Sequence, residues 1–245
     1  WTAGQLSLLP AAVSSLAGSV PVSACSSGGA LYVVRADGSL RILSGGTWQT
    51  SASAGLAGAR SVTTDGEYVY LAVNGGIVRA AAGTVSSFGA WSTLVADRVE
   101  WVKGRLFAAA GSLLYNITDP AGATPAALTV ATGTAAGRPG WRWTGFAEGA
   151  GCVYAGGSIG SSQGHVYAFG IKADGSGLDV GLVAATLPTS ESVTGLGGYL
   201  GYVLVGTSTG VRLAQVGGSN DLTLGAAVAT GQPVRCFAPS DRFVY

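Results

Sequence analysis

The chain has 245 residues, only 10% of them charged, and its 13 Lys and Arg against 12 Asp and Glu leave a formal net charge of +1, where about 25% charged is usual. So sparse and balanced a charge excludes nucleic-acid binding through a groove of clustered Lys and Arg. The apolar runs stop short of the roughly 18 residues that suggest a membrane span, and a single histidine excludes a multi-histidine metal site within the chain.

Residues 1–20 hold a short apolar run at 6–9, then Pro10 and a connector of small residues. The first full unit follows, with strands expected at 22–25, 30–35, 39–43 and 47–51, separated by turns at Ser26 to Gly29, Asp37-Gly38 and Gly45-Gly46. Asp-Gly between alternating segments is a strong hairpin signal, because both residues tolerate positive φ. The second unit, SVTTDGEYVYLAVNGGIVRA at 61–80, is the clearest statement of the pattern, and 91–95 is its expected outer strand.

A third unit runs 99–102, 105–109 and 113–117, with 127–131 outside. A fourth runs 143–146, 152–156 and 165–171, with 180–187 outside, and a fifth runs 193–196, 199–205, 211–216 and 222–229. A sixth starts at 234–238 and breaks off in 242–245. Tyr32, Tyr68, Phe107, Tyr154, Tyr202 and Phe243 mark the second strands, at intervals of roughly 35 to 50 residues, the spacing of a four-stranded propeller blade.

No stretch carries capped helical periodicity, and 10–17 comes nearest. Repeated four-stranded sheets without helices must bury both faces, and a radial stack does so while leaving only short edges. The expected fold is therefore an all-β propeller of four-stranded antiparallel blades, six or seven in number. Residues 1–20 form an N-terminal segment, 21–245 carry the blades, and the sixth blade is incomplete. Because 222–236 resembles 6–25 in arrangement, residues 6–9 are expected to close the ring as the outer strand of the last blade. A chain starting at Trp1 and stopping at Tyr245 within a strand-like run reads as an excerpt of a longer one. Its charge-poor surface fits a protein partly covered by other subunits.

Chemistry-bearing residues are few. His165 is placed at the start of a third strand. Asp97 with Glu100, and Asp174 with Asp179, are the carboxylate pairs that acid-base chemistry could use, but Asp37, Asp65 and Asp174 each precede Gly and are explained as turn residues. The loop 174–179 has oxygens at alternating positions but lacks the full ligand set of a calcium loop. Residues 156–160 open no helix and lack a Walker lysine, so tight turns explain their glycines. Cys25, Cys152 and Cys236 have no metal-ligand spacing and read as small buried hydrophobes. One surface candidate remains, Trp141, Arg142 and Trp143. Exposed, they would form a platform for a sugar ring or a protein partner; otherwise both indoles wedge between blades. No catalytic residue, cofactor or metal is assigned.

The segments TTDGEYVYLAVNGGIVRA, WVKGRLFAAAGSLLYNI, FAEGAGCVYAGGSIGSSQGHVYAFGI and GGYLGYVLVGTSTGVRLAQV, with the Ala, Gly, Val and Thr bias and the lack of Met, resemble the β-propeller segments of minor tail proteins from phages of actinobacteria. The similarity is one of repeat style across residues 20–245. It implies an extracellular virion component at the tail tip, non-enzymatic, present in several copies with other tail proteins and in contact with a host-envelope glycan or protein. The alternatives from other classes are a secreted bacterial carbohydrate-binding propeller, marked by exposed Trp on one ring face, and a propeller hydrolase or lyase.

Overall fold

The structure, a computed structural model, describes residues 19–51, 56–84, 87–119, 125–237, 239–240 and 243–244. Blade 1 comprises β1 (Pro21–Ser27), β2 (Ala30–Arg35), β3 (Leu40–Ser44) and β4 (Thr47–Thr50). Blade 2 comprises β5 (Ser61–Thr64), β6 (Tyr68–Val73), β7 (Gly76–Ala81) and β8 (Gly89–Ser92). Blade 3 has three strands, β9 (Arg98–Val102), β10 (Arg105–Ala110) and β11 (Leu113–Asn116). Blade 4 comprises β12 (Trp141–Gly149), β13 (Cys152–Ile159), β14 (His165–Gly170) and β15 (Leu182–Thr186). Blade 5 comprises β16 (Val193–Tyr199), β17 (Tyr202–Thr207), β18 (Gly210–Val216) and β19 (Leu222–Ala229). Each sheet is an antiparallel meander in chain order.

The described residues thus build a β-propeller of five blades, not the expected six or seven. Of the expected inner strand at 234–238, the described residues 234–237 form no ladder. Pro233 brings no N–H, and the segment is held by its flank: the Thr194 hydroxyl donates to the Val234 carbonyl, and the Val234 amide donates to Thr207 O at 3.3 Å. Among the described residues beyond it lies only a two-stranded pair, β20 (Pro239–Ser240) with β21 (Phe243–Val244). The β20 backbone touches both β1 and β16, so the gap between blades 5 and 1 is spanned by this short piece. The expected closing strand at 6–9 lies outside the described residues.

Blade 3 also departs from expectation. Its expected outer strand, 127–131, makes one bridge to Tyr115 through Ala127, then turns to blade 4, where Ala131 N donates to Gly181 O at 3.0 Å and Gly181 N to Thr129 O at 2.9 Å. The segment is shared between two blades and completes neither.

Strand alternation explains how the core is divided. On β6, Val69, Leu71 and Val73 point to blade 1 and pack with Tyr32, Val34 and Ile42, while Tyr70 and Ala72 point to blade 3 and pack with Val99, Leu106 and Ala108. Blades 3 and 4 meet through Phe107, Trp141, Trp143, Phe146 and Tyr167, and blades 4 and 5 through Tyr154, Val166, Leu196, Val203 and Val205. Each apolar layer lies between blades, as radial stacking requires.

Nearest the axis, successive inner strands are tied by hydroxyl groups. Ser23 Oγ accepts from Val62 N at 3.0 Å, Ser61 Oγ accepts from Val99 N at 3.1 Å, Thr144 Oγ1 donates to Val193 O at 2.9 Å and Thr194 Oγ1 donates to Val234 O. Ser23 and Ser61 are 1% and 0% exposed, so these bonds satisfy backbone groups that water does not reach.

The glycines at 156 and 157 have a different explanation from the one expected. They lie inside β13, not in a turn, and a Cβ on Gly157 would stand 2.3 Å from Arg142 O and 2.7 Å from the Trp141 ring. Gly157→Ala is expected to destabilise the chain by about 1 to 3 kcal/mol through overpacking, read from the urea midpoint. Gly160, in the turn after β13 with φ of +56°, is the one glycine of that run that fits the tight-turn reading.

Candidate functional site at the channel mouth

Residues at or just before the start of β5 and β9, with Thr144 of β12 and Thr194 of β16, gather at one end of the ring of inner strands, the mouth of its axial channel. Arg60 and Asp97 occupy equivalent positions, since Arg60 N donates to Ala72 O at 2.9 Å and Asp97 N to Ala109 O at 2.7 Å. One position further in come Ser61 and Arg98, paired with Ala72 and Ala109 on their neighbouring strands. Arg98 therefore stands where other blades carry the linking hydroxyl. A cavity of about 190 Å³ opens here, lined by Arg60, Asp97, Arg98, Thr144, Thr194 and Arg235 among others.

The charges at this mouth are unevenly satisfied. Arg60 is fixed by bonds to Ala96 O at 3.2 Å and Asn74 Oδ1 at 2.9 Å. Asp97 Oδ2 accepts from Gly111 N at 2.9 Å and lies 3.5 Å from Arg142 Nη1, a half-exposed pair that contributes little stability. Arg98, its side chain 10% exposed, donates to Val22 O at 3.4 Å, and its Nε lies 3.7 Å from Glu100 Oε2. At that separation neither Arg98 Nε nor Glu100 Oε2 has a hydrogen-bond partner among the described residues.

Burial pushes the Glu100 carboxyl up to about 7, against the pull of Arg98. Burial also raises the Cys25 and Cys236 thiols, and the Glu100 charge adds to both. These groups share one electrostatic neighbourhood beneath the mouth. A carboxyl whose pKa rises on folding contributes stability below its ordinary range and loses it as pH climbs through the folded value. The wild-type chain is therefore expected to lose about 3 kcal/mol from this group between about pH 4.5 and 8, and Glu100→Gln to be spared that loss. Urea unfolding of both proteins at the two ends of that range measures it.

The sequence-derived candidates fall elsewhere. Trp141 and Trp143 are 1% and 4% exposed, so the proposed platform of Trp141, Arg142 and Trp143 is not assembled. Both indoles pack between blades, edge-on to Tyr167, and only Arg142 reaches solvent. The pair shares one side of β12, as alternation requires, but that side is the inner one. His165 begins β14 as expected, with Nδ1 3.1 Å from Thr186 Oγ1 and its pKa lowered by burial and by Arg138.

The turn aspartates do what their positions before Gly imply. Asp37 Oδ1 accepts from Ser39 N at 3.0 Å, Asp65 Oδ1 from Glu67 N at 2.9 Å and Asp174 Oδ1 from Ser176 N at 2.9 Å. Asp179 turns away to line an outer groove of about 250 Å³ with Asp221, Val180 and Leu182. Among the described residues no three His, Cys, Asp or Glu side chains converge as metal ligands.

Two features escape sequence reasoning. One is the convergence of Arg60, Arg98 and Arg235, which are 38 and 137 positions apart; only strand register brings them together. The other is an ion pair in blade 5, where Arg212 donates to Glu191 through Nε at 2.9 Å and Nη2 at 2.7 Å. Arg within a blade's third strand was the available signal, since Arg41, Arg79 and Arg212 recur in β3, β7 and β18.

No protein-family model and no curated protein matches the chain. Solved structures do match. The chain is similar to a protein designated an oxidoreductase (glucose dehydrogenase) from Thermus thermophilus, at 16% identity and a TM-score of 0.62, over 89% of this chain and 87% of that one. It is similar to a gluconolactonase from Xanthomonas campestris at 16% identity and a TM-score of 0.60, over 89% and 80%. It is also similar to the extracellular domain of a hybrid two-component system from B. thetaiotaomicron at 11% identity and a TM-score of 0.60, but it spans only 30% of that chain. At these identities the likeness is one of fold.

Proposed function

We propose that this propeller is a non-enzymatic assembly module of a phage tail tip, docked edge-on against other tail proteins and held near the host surface. The observation that carries the reading is the composition of the outer strands. β4, β8, β15 and β19 read TWQT, GAWS, LVAAT and LTLGAAVA, without one charged residue among them. Outer strands of a freely circulating protein are usually guarded by charge or Pro as well as by bulges, because an unguarded edge pairs with other chains; β8, β15 and β19 carry only a register shift against their neighbours. Val180, just before β15, and Leu182 and Val183, its first two residues, are 49%, 61% and 44% exposed, an apolar strip that a neighbouring subunit would cover. The resemblance in repeat style to minor tail propellers supports another tail protein as that neighbour.

The carbohydrate-binding alternative expects exposed Trp on one ring face. Among the described residues Trp48, Trp91 and Trp101 are half-buried and Trp141 and Trp143 are buried, which does not favour it. Electron cryomicroscopy of the intact particle tests the proposal: the propeller is expected at the tail tip in several copies, with β15 or β19 covered by a neighbour. A monodisperse monomer that hydrolyses a glycan or a lactone would overturn it.

A further inference from the structure

We propose that the channel mouth is a binding site for a single oxyanion, a carboxylate or phosphate group, gripped by Arg98 and Arg235 with Arg60 supplying field from the rim. This inference stands independently of the tail-tip reading.

In a chain with 13 basic residues and a net charge of +1, three arginines face one cavity of about 190 Å³. Among the described residues the one carboxylate lining it, Asp97, is already engaged by Gly111 N and by Arg142 from outside. Arg98 is nine-tenths buried, cannot shed its charge, and leaves Nε without a hydrogen-bond partner, the nearest carboxylate oxygen standing 3.7 Å away. A buried charge so poorly compensated is costly, and because Arg98 lines the cavity an oxyanion bound there offsets it.

The linking position of the inner strands holds Ser23, Ser61, Thr144 and Thr194 in blades 1, 2, 4 and 5. In blade 3 it holds Arg98, and after blade 5 the corresponding residue is Arg235, beside Val234 whose carbonyl accepts from Thr194. Arg235 is exposed and has no hydrogen-bond partner among the described residues. The Thr144 and Thr194 hydroxyls spend their protons on backbone carbonyls, so the donors facing a ligand are guanidinium groups. Their forked geometry matches carboxylate and phosphate oxygens. The outer groove, by contrast, presents Asp179 and Asp221 and repels such a group.

The test is a nuclear magnetic resonance titration of the full chain at low ionic strength, with inorganic phosphate in one arm, glucuronate in another and chloride as the reference. Saturable shifts are expected at the amides of Val22, Arg98, Thr144, Thr194 and Arg235, and the stronger arm identifies the group. Arg235→Gln, at an exposed position, is expected to weaken binding about tenfold while leaving the spectrum otherwise folded. Arg98→Gln is expected to abolish it. Glu100→Gln, which frees Arg98 from its competing carboxylate, is expected to tighten it about threefold, a gain that loss of folding cannot produce. Lys172→Gln, on an exposed loop, is the unaffected control. Shifts no larger than those of chloride, shifts that map away from the mouth, or binding unchanged by Arg235→Gln would overturn the proposal.

Discussion

Trp141→Ala is expected to destabilise the chain by about 3 to 5 kcal/mol, the range for emptying a large aromatic site in a core that relaxes only partly. Trp141 is 1% exposed and meets Trp143 at a centroid distance of 5.2 Å and 77°, and Tyr167 at 5.7 Å and 84°. The cluster also holds a loop, since Tyr167 OH accepts from Ala136 N at 2.9 Å. Phe substitutions separate the two indoles. Trp141 Nε1 has no partner among the described residues, so Trp141→Phe discards an unsatisfied donor and costs less than Trp143→Phe, which leaves Ser112 O without the bond it receives at 2.9 Å. Urea unfolding of the three variants measures the order.

Glu191→Ala is expected to cost about 3 to 5 kcal/mol, because removing one partner of a buried pair leaves the other charge without compensation. The Glu191 and Arg212 side chains are 7% and 15% exposed, and two bonds join them. A double replacement, Glu191→Leu with Arg212→Met, is expected to recover most of the loss, since it removes both desolvated charges together. Arg212 holds the Glu191 carboxyl below the usual carboxylate range. The pair's contribution is therefore present at neutral pH and fades as acid protonates the carboxylate, the opposite sign to Glu100. Denaturant midpoints compared at neutral and acid pH, in wild type and Glu191→Ala, test this.

Much of the architecture is legible before any coordinates. Asp65-Gly66 and Asn74-Gly75-Gly76 punctuate blade 2 so clearly that β5, β6 and β7 fall where turn chemistry puts them, and the recurrence of that unit forces radial stacking. Blade count was less legible, because 234–238 has the composition of an inner strand while its ladder partners depend on what lies beside it. The segment 127–131 misled for the same reason: apolar alternation says that a strand wants pairing, not which blade supplies it.

The site was less legible still. Trp141, Arg142 and Trp143 drew attention by residue type, but alternation alone does not say which side of β12 faces a neighbour, and the inter-blade layer took both indoles. The arginines of the channel mouth carried no local motif. Arg60, Arg98 and Arg235 become one cluster only when the inner strands are placed side by side in register, and the hydroxyl series of Ser23, Ser61, Thr144 and Thr194 supplies that register.

The account depends on those inner strands standing next to one another around an axis, and nuclear Overhauser contacts in the labelled chain test it most directly. Contacts are predicted between the Val62 amide and the Ser23 β protons, the Val99 amide and the Ser61 β protons, Thr144 and Val193, and Thr194 and Val234. Their absence, with contacts instead running between two flat layers of strands, would contradict the propeller and the channel-mouth site together.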